Sequence, residues 1–209
     1  MSRELPILYS HPMVRAIRND QKTQTRRVIM PQPTRDANGM WHWRDCQWMD
    51  GGLGFPASGI ADHARYKPGD ILWVREAWRL VDYQYIDGIW SASVQFRADM
   101  AVGPRLFWAE GAANTYERIG WRPSIHMPRK AARLFLRVTA VRAERVQDIT
   151  EADAMAEGAM PEPPFSFVKP YRRGFARLWD SINAKRGFGW EDNPFCWVYE
   201  FEEVKHAKG

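Results

Sequence analysis

Leu134, Leu136, Val138 and Ala140 alternate with Phe135, Arg137, Thr139 and Val141. This period of two is the longest in the chain and predicts a strand through Ala132 to Val146. Shorter runs predict more strands. Leu5 to Tyr9 is apolar, Arg26 to Met30 runs extended up to Pro31, and Ile71 to Val74 reads as buried. Ile89 to Phe96 alternates behind the Asp87-Gly88 turn. Cys196 to Val204 sets Cys196, Val198, Glu200 and Glu202 against Trp197, Tyr199, Phe201 and Glu203. The helical period recurs in His11 to Gln21, where Met13, Ile17 and Ala16 share a face, and in Tyr171 to Lys185, where Phe175, Leu178, Trp179 and Ile182 do. Between them Thr150 is a good N-cap, Asp153 stands where a capping box prefers Glu or Gln, and Gly158 suits the end of the short helix.

Punctuation between these runs sets the organisation. Lys67-Pro68-Gly69-Asp70 is a turn, because proline presets its own φ and glycine accepts a positive one. Glycine-rich stretches at 34–66 and 98–120 read as insertions, the first a long loop or small hairpin, and Pro123 to Pro128 as an extended linker. The order is β-α-β, several strands, then α, α and β. It lacks the βα alternation of a doubly wound sheet and fits an α+β fold, a small mixed β-barrel with helices packed outside. The 209 residues suit one domain spanning 1–209 with those two insertions.

Composition changes the picture in three places. Charge is +5 overall but uneven: segment 118–145 is basic against Glu144 alone, and Arg133, Arg137, Arg142 and Arg145 make one side of the long ribbon basic. Such a block suits a nucleic-acid partner, or it is a set of solvated faces. Eleven tryptophans supply core area and can also stack on bases. The two cysteines are far apart and the five histidines lack ligand spacing, so neither disulfide, metal nor cofactor is expected. There is no apolar run of spanning length and no signal-peptide core, so the expectation is a cytoplasmic protein without a membrane partner. The sequence sets no oligomeric state.

Candidate chemistry is densest in Lys22-Thr23-Gln24-Thr25-Arg26-Arg27, where a helix hands over to a strand. An amine, two hydroxyls and two guanidinium groups fall there together. The competing reading is a solvated turn, with Lys22 interacting with the end of the helix dipole. A second concentration, Arg75, Glu76 and Trp78, is either an ion pair and a wall residue or part of a pocket.

Four stretches, taken in order, resemble the ASCH domain of the PUA-like superfamily, in its phage and prophage branch. They are Pro12 to Ile17 leading to Lys22–Arg27, then Lys67 to Trp78, then His126 to Arg129 through the basic strand to Ile149–Gly158, and finally Leu178 to Asn183 followed by Trp197 to Phe201. The resemblance implies a PUA-like barrel. It also implies, for some small members, an amidohydrolase acting on N4-acylated cytidine through a lysine, a threonine three residues later and a glutamate in the helix after the long strand. Those positions fall on Lys22, Thr25 and Glu157. The arginine after the threonine falls on Arg27, with Arg26, Arg75, Glu76 and Trp78 as the expected substrate contacts. The family's glycine two residues before the lysine is Asp20 here. In that chemistry Thr25 is the nucleophile, Lys22 its base if burial or Arg26 and Arg27 depress its pKa, and Glu157 the acid for the leaving amine. The alternatives are a non-catalytic RNA-binding module using Arg133, Arg137, Arg142 and Arg145, and a ribonuclease.

Overall fold

A computed structural model describes residues 2–44, 46–49, 63–109, 120–163 and 170–204. In chain order its elements are β1 (Glu4–Leu8), α1 (His11–Arg18), β2 (Gln24–Val28), β3 (Thr34–Arg35), β4 (Met40–Trp43), β5 (Cys46–Met49), β6 (Ile71–Arg75), β7 (Trp78–Ile86), β8 (Ile89–Phe96), β9 (Val102–Ala109), β10 (Phe135–Arg145), α2 (Glu151–Ala156), α3 (Pro170–Asn183) and β11 (Phe195–Glu203). The class is α+β, mostly strand. The hydrogen-bonded order β1-β6-β10-β11-β2 ends at β1 and β2, so the expected barrel is not closed among the described residues. No described helix is long and apolar enough to cross a membrane. The chain gathers into two compact units. One is Met1–Asn19, Asp70–Arg137 and Glu203–Gly209, and the other is Asp20–Gly69 and Val138–Glu202.

In the first unit β1 runs parallel to β6, from Glu4 opposite Ile71 to Leu8 opposite Arg75. The start of β10 is antiparallel to β6, with Phe135 opposite Trp73. α1 buries Val14, Ala16 and Ile17, with Met13 only half-buried, so its inner face is centred one residue from the expected one. β7, β8 and β9 form an antiparallel sheet over a core of Trp78, Leu80, Val94, Phe96 and Leu106. Two of these strands differ from the sequence expectation. β7 carries on from Trp78, where the previous strand was expected to close, and β9 occupies most of the expected insertion at 98–120, of which 110–119 lie outside the described residues. The alternation in β7 breaks at Asp82, which has a φ of 55° beside a register shift, and the outer half of the strand is exposed. A strand bent in this way lacks the regular period that reveals strands. Ser124–His126 is a short 3-10 turn within the expected linker.

In the second unit β11 is antiparallel to β2, from Cys196 opposite Val28 to Glu200 opposite Gln24. β3, β4 and β5 form a small sheet within the expected insertion at 34–66, of which 45 and 50–62 lie outside the described residues. The apolar core joins Val146, Ile149 and Ala154 to Phe175 and Trp179 of α3 and to Cys196 and Val198. Ile182, expected on that inner face, is 43% exposed, and Asn183 is buried instead.

Asp153 does complete a capping box. Its N–H donates to Thr150 Oγ1 at 3.0 Å, and its carboxylate accepts from the Thr150 N–H at 3.4 Å. Aspartate is shorter than the preferred glutamate, which accounts for the longer second bond. Thr150→Ala should lower stability by about 1 kcal/mol, read as a shift in the urea midpoint at unchanged slope.

Candidate active site

The site is built where the chain leaves α1. Asn19 caps that helix, and its N–H donates to Arg15 O. Asp20 follows with a φ of 56°. This left-handed position is where the ASCH-like pattern has glycine. Aspartate is among the few other residues that tolerate it, so the departure at Asp20 leaves the turn intact.

After the turn the chain is held to the end of α2. Lys22 and Glu157 form an isolated antiparallel bridge, the Thr23 N–H donates to Ala156 O at 2.8 Å, and the Phe201 N–H donates to Thr23 O at 2.8 Å. Lys22 thus meets carbonyls that a helix end leaves without intrahelical donors. Its Nζ donates to Glu157 O at 2.8 Å, to Gln24 O at 2.7 Å and to Glu157 Oε2 at 2.8 Å. Lys22 is 2% exposed and Glu157 3%. Burial holds the Lys22 pKa below the usual lysine value. Glu157 opposes that shift, while Arg27 and Arg26 add to it.

Arg26 closes the other side of the carboxylate. Its NH1 donates to Glu157 Oε1 at 3.1 Å, and its Nε and NH2 donate to Glu144 Oε1 at 3.0 and 2.6 Å. Gln24 donates to the Asp153 carboxylate at 2.9 Å. Arg142 reaches Glu144 at 3.0 Å and Asp153 at 3.3 Å, and also pairs with Glu200. Three cations (Lys22, Arg26 and Arg142) therefore face four carboxylates (Glu144, Asp153, Glu157 and Glu200), and this cluster is not the basic site that the local sequence suggests.

Thr25 stands apart from this cluster. In β2 its Cα pairs with Tyr199, while Gln24 and Arg26 pair with Glu200 and Val198. Alternation puts Thr25 and Arg27 on the sheet face of Tyr199 and Trp197, opposite Gln24 and Arg26. That face is aromatic: Tyr66 lies 5.0 Å from Tyr199, and Trp43 lies 5.7 Å from Trp197 and 5.6 Å from His63, centroid to centroid. Thr25 is 3% exposed, and its hydroxyl has no hydrogen-bond partner among the described residues. The structure thus brings Lys22, Arg26 and Glu157 into contact and leaves Thr25 adjacent in sequence but outside their hydrogen bonds.

Arg75, Glu76 and Trp78 belong to the first unit. Arg75 Nε donates to Met127 O at 3.2 Å, and its guanidinium lies over Trp73. Glu76 takes two hydrogen bonds from Arg133, at 2.8 and 2.9 Å. Burial pushes its carboxyl pKa up, against the pull of Arg133. Trp78 is 1% exposed, and its indole N–H has no hydrogen-bond partner among the described residues.

Two arginines of the expected basic ribbon, Arg133 and Arg142, are neutralised by carboxylates. Arg133 precedes β10 and holds Glu76 and Asp99, Arg142 holds three carboxylates, and Arg145 lies 3.8 Å over Phe195 while donating to Asn193 O. Arg137 is exposed. Sequence reading missed Gln24 and Glu144 as partners of the site. Glu144 had a visible signal, because it is the lone acid of segment 118–145, and a solitary carboxylate among arginines is where a buried pair is expected. Among the described residues no three His, Cys, Asp or Glu side chains are grouped to hold a metal ion.

No family model matches the chain, and no curated protein does. Among solved structures, protein EF3133 from Enterococcus faecalis V583, of family DUF984, aligns over 100% of this chain and 87% of its own, with 10% identity and a TM-score of 0.41.

Proposed function

We propose that the chain is an ASCH-type, PUA-like amidohydrolase that removes the acyl group from N4-acylated cytidine or a related modified pyrimidine. The observation that carries this reading is the buried contact of Lys22 with Glu157, 135 residues apart in sequence, steadied by Arg26. A buried lysine whose pKa is shifted and which is paired with a carboxylate marks a functional site more often than chance, and the ASCH-like pattern supplies the reaction.

With three acceptors around Nζ, Lys22 rests as an ammonium. Its base form arises when one proton passes to Glu157 Oε2, a transfer favoured by burial, since it replaces two charges with none. The Lys22 amine must then swing from the Glu157 side of β2 to reach the Thr25 hydroxyl, whose proton it takes as the threonine oxygen attacks the acyl carbon. Glu157, now a carboxylic acid, returns its proton to the departing N4 amine, releasing cytidine. Water cleaves the acyl-threonine, giving acetate when the acyl group is acetyl.

The expected result is release of acetate and cytidine from N4-acetylcytidine, reduced by at least about 100-fold in Thr25→Ala and in Lys22→Ala. Circular dichroism separates lost chemistry from lost folding. Because the working tautomer keeps one proton on the Lys22–Glu157 pair, activity should fall as rising pH removes that proton, with a midpoint below the ordinary lysine value of about 10.4. A wild type inactive on several acyl-cytidines removes this reading.

A further inference from the structure

Several described guanidinium groups in this chain end on carboxylates. In the first unit Arg3 holds Asp70, Arg105 holds Asp82, Arg129 holds Glu4 and Arg133 holds Glu76 and Asp99. Arg79 and Arg97 share one indole, that of Trp121, at 4.8 and 5.8 Å from the ring centroid. Arg79 Nε donates to the neutral Gln95 Oε1 at 2.7 Å, from the directly opposite position on β8. Arg97 is exposed, and its backbone N–H is fixed to Ala77 O at 2.9 Å. Arg15, also exposed, donates to Ala98 O at 3.2 Å, one residue from Arg97. None of these three makes a salt bridge among the described residues. The acid nearest Arg97 in sequence, Asp99, is taken up by two hydrogen bonds from Arg133 and by Arg18 at 3.5 Å.

The two kinds of partner have opposite consequences. A carboxylate orients a guanidinium and cancels its charge. An indole face orients it while leaving the charge and the in-plane N–H donors available. The field of this patch reaches His11, whose pKa is held down by burial first and then by Arg97 and Arg15.

We infer that Arg15, Arg79 and Arg97, with Trp121 as their support, form a surface on the first unit that binds the phosphate groups of a nucleic-acid strand. Guanidinium is the side chain best matched to phosphate oxygens, and preorganised arginines lose little freedom on binding. The surface differs from the one the sequence points to, since Arg133 and Arg142 are already occupied. It stands independently of the hydrolysis proposed above.

The test is fluorescence anisotropy of a labelled single-stranded RNA, with salt titrated upward from about 50 mM. Arg79→Gln and Arg97→Gln should each flatten the plot of log affinity against log salt by about 0.7, and the double variant should bind at least about 10-fold more weakly. Arg129→Gln removes one charge from the same unit, but one already matched by Glu4, and should leave slope and affinity unchanged. Cytidine monophosphate as competitor identifies the source of the phosphate. Competition equal to the strand's on a per-phosphate basis means a free nucleotide occupies the same surface, and weaker competition means a strand does. Melting curves establish that each variant is folded, and exposed Arg97 carries the test alone if Arg79→Gln does not fold. Absence of binding at about 50 mM salt, or an equal loss in Arg129→Gln, overturns the inference.

Discussion

Glu157→Ala should destabilise the protein by about 3–5 kcal/mol, because it leaves two buried cations facing each other without their shared anion. The side chains of Lys22 and Arg26 are 0% exposed, and each donates to a different oxygen of the Glu157 carboxylate. Arg26 keeps Glu144, whereas Lys22 keeps only carbonyl acceptors among the partners described above. Lys22 therefore bears most of the loss. The double variant Lys22→Met/Glu157→Leu removes charge and counter-charge together and should recover much of the stability, since the pair's attraction is offset by the desolvation of both ions. A double-mutant cycle from urea unfolding measures this. Coupling below about 0.5 kcal/mol would mean the two groups do not act as a pair.

The pH dependence has a defined sign. The folded pKa of Lys22 lies below its unfolded value, so between the two the unfolded chain binds more protons and stability rises with pH. The cost of burying the ammonium is thus present in full below the folded pKa and disappears as pH climbs towards about 10.4. Glu157 resists that shift, so in Glu157→Ala the folded pKa falls further and the rising window widens downward.

What the sequence disclosed follows from the range of the interactions involved. The strands β1, β2, β6, β8, β10 and β11 were legible to within three residues, because alternation is a local consequence of a pleated backbone. The N-cap Thr150 and Gly158, with its φ of 73°, were legible for the same reason, whereas the box that Asp153 completes read only as a near-miss. β7 and β9 were not: Asp82 interrupts the first, and the second contains Gly103 and Pro104, residues that read as turn. At the site, the spacing of Lys22 and Thr25 and the helical position of Glu157 rest on resemblance. Their contact depends on β2 and the end of α2 meeting across 135 positions, which no local pattern encodes. The same limit applies to charge. A row of arginines in sequence reads as basic whether or not a carboxylate from another element neutralises it, and only tertiary structure separates Arg142, with three acids, from Arg97, with none among the described residues.

Gly174→Ala should also destabilise strongly, by about 3 kcal/mol or more, against the usual direction of that substitution. Gly174 lies inside α3, where alanine is ordinarily better by about 1 kcal/mol. Here a Cβ would stand 1.8 Å from Met160 O and 3.0 Å from Met160 C, both backbone atoms. No rotamer relieves a clash between a Cβ and a main chain, so either the helix or the segment beyond α2 must move. That segment is fixed from several sides. The Glu162 N–H donates to Pro170 O at 3.0 Å, the Glu162 carboxylate accepts from Arg177 at 2.5 Å, and Ala159 is buried in the core with Phe175 and Trp179. Displacing α3 would separate Phe175 and Trp179 from Ala154. α2 begins three residues before Ala154 and is the element whose end presents Glu157 to Lys22. The variant should therefore show a lowered urea midpoint together with reduced deacylation at temperatures where it remains folded. A midpoint equal to or above wild type would mean that the close approach of the helix to Met160 does not hold in solution.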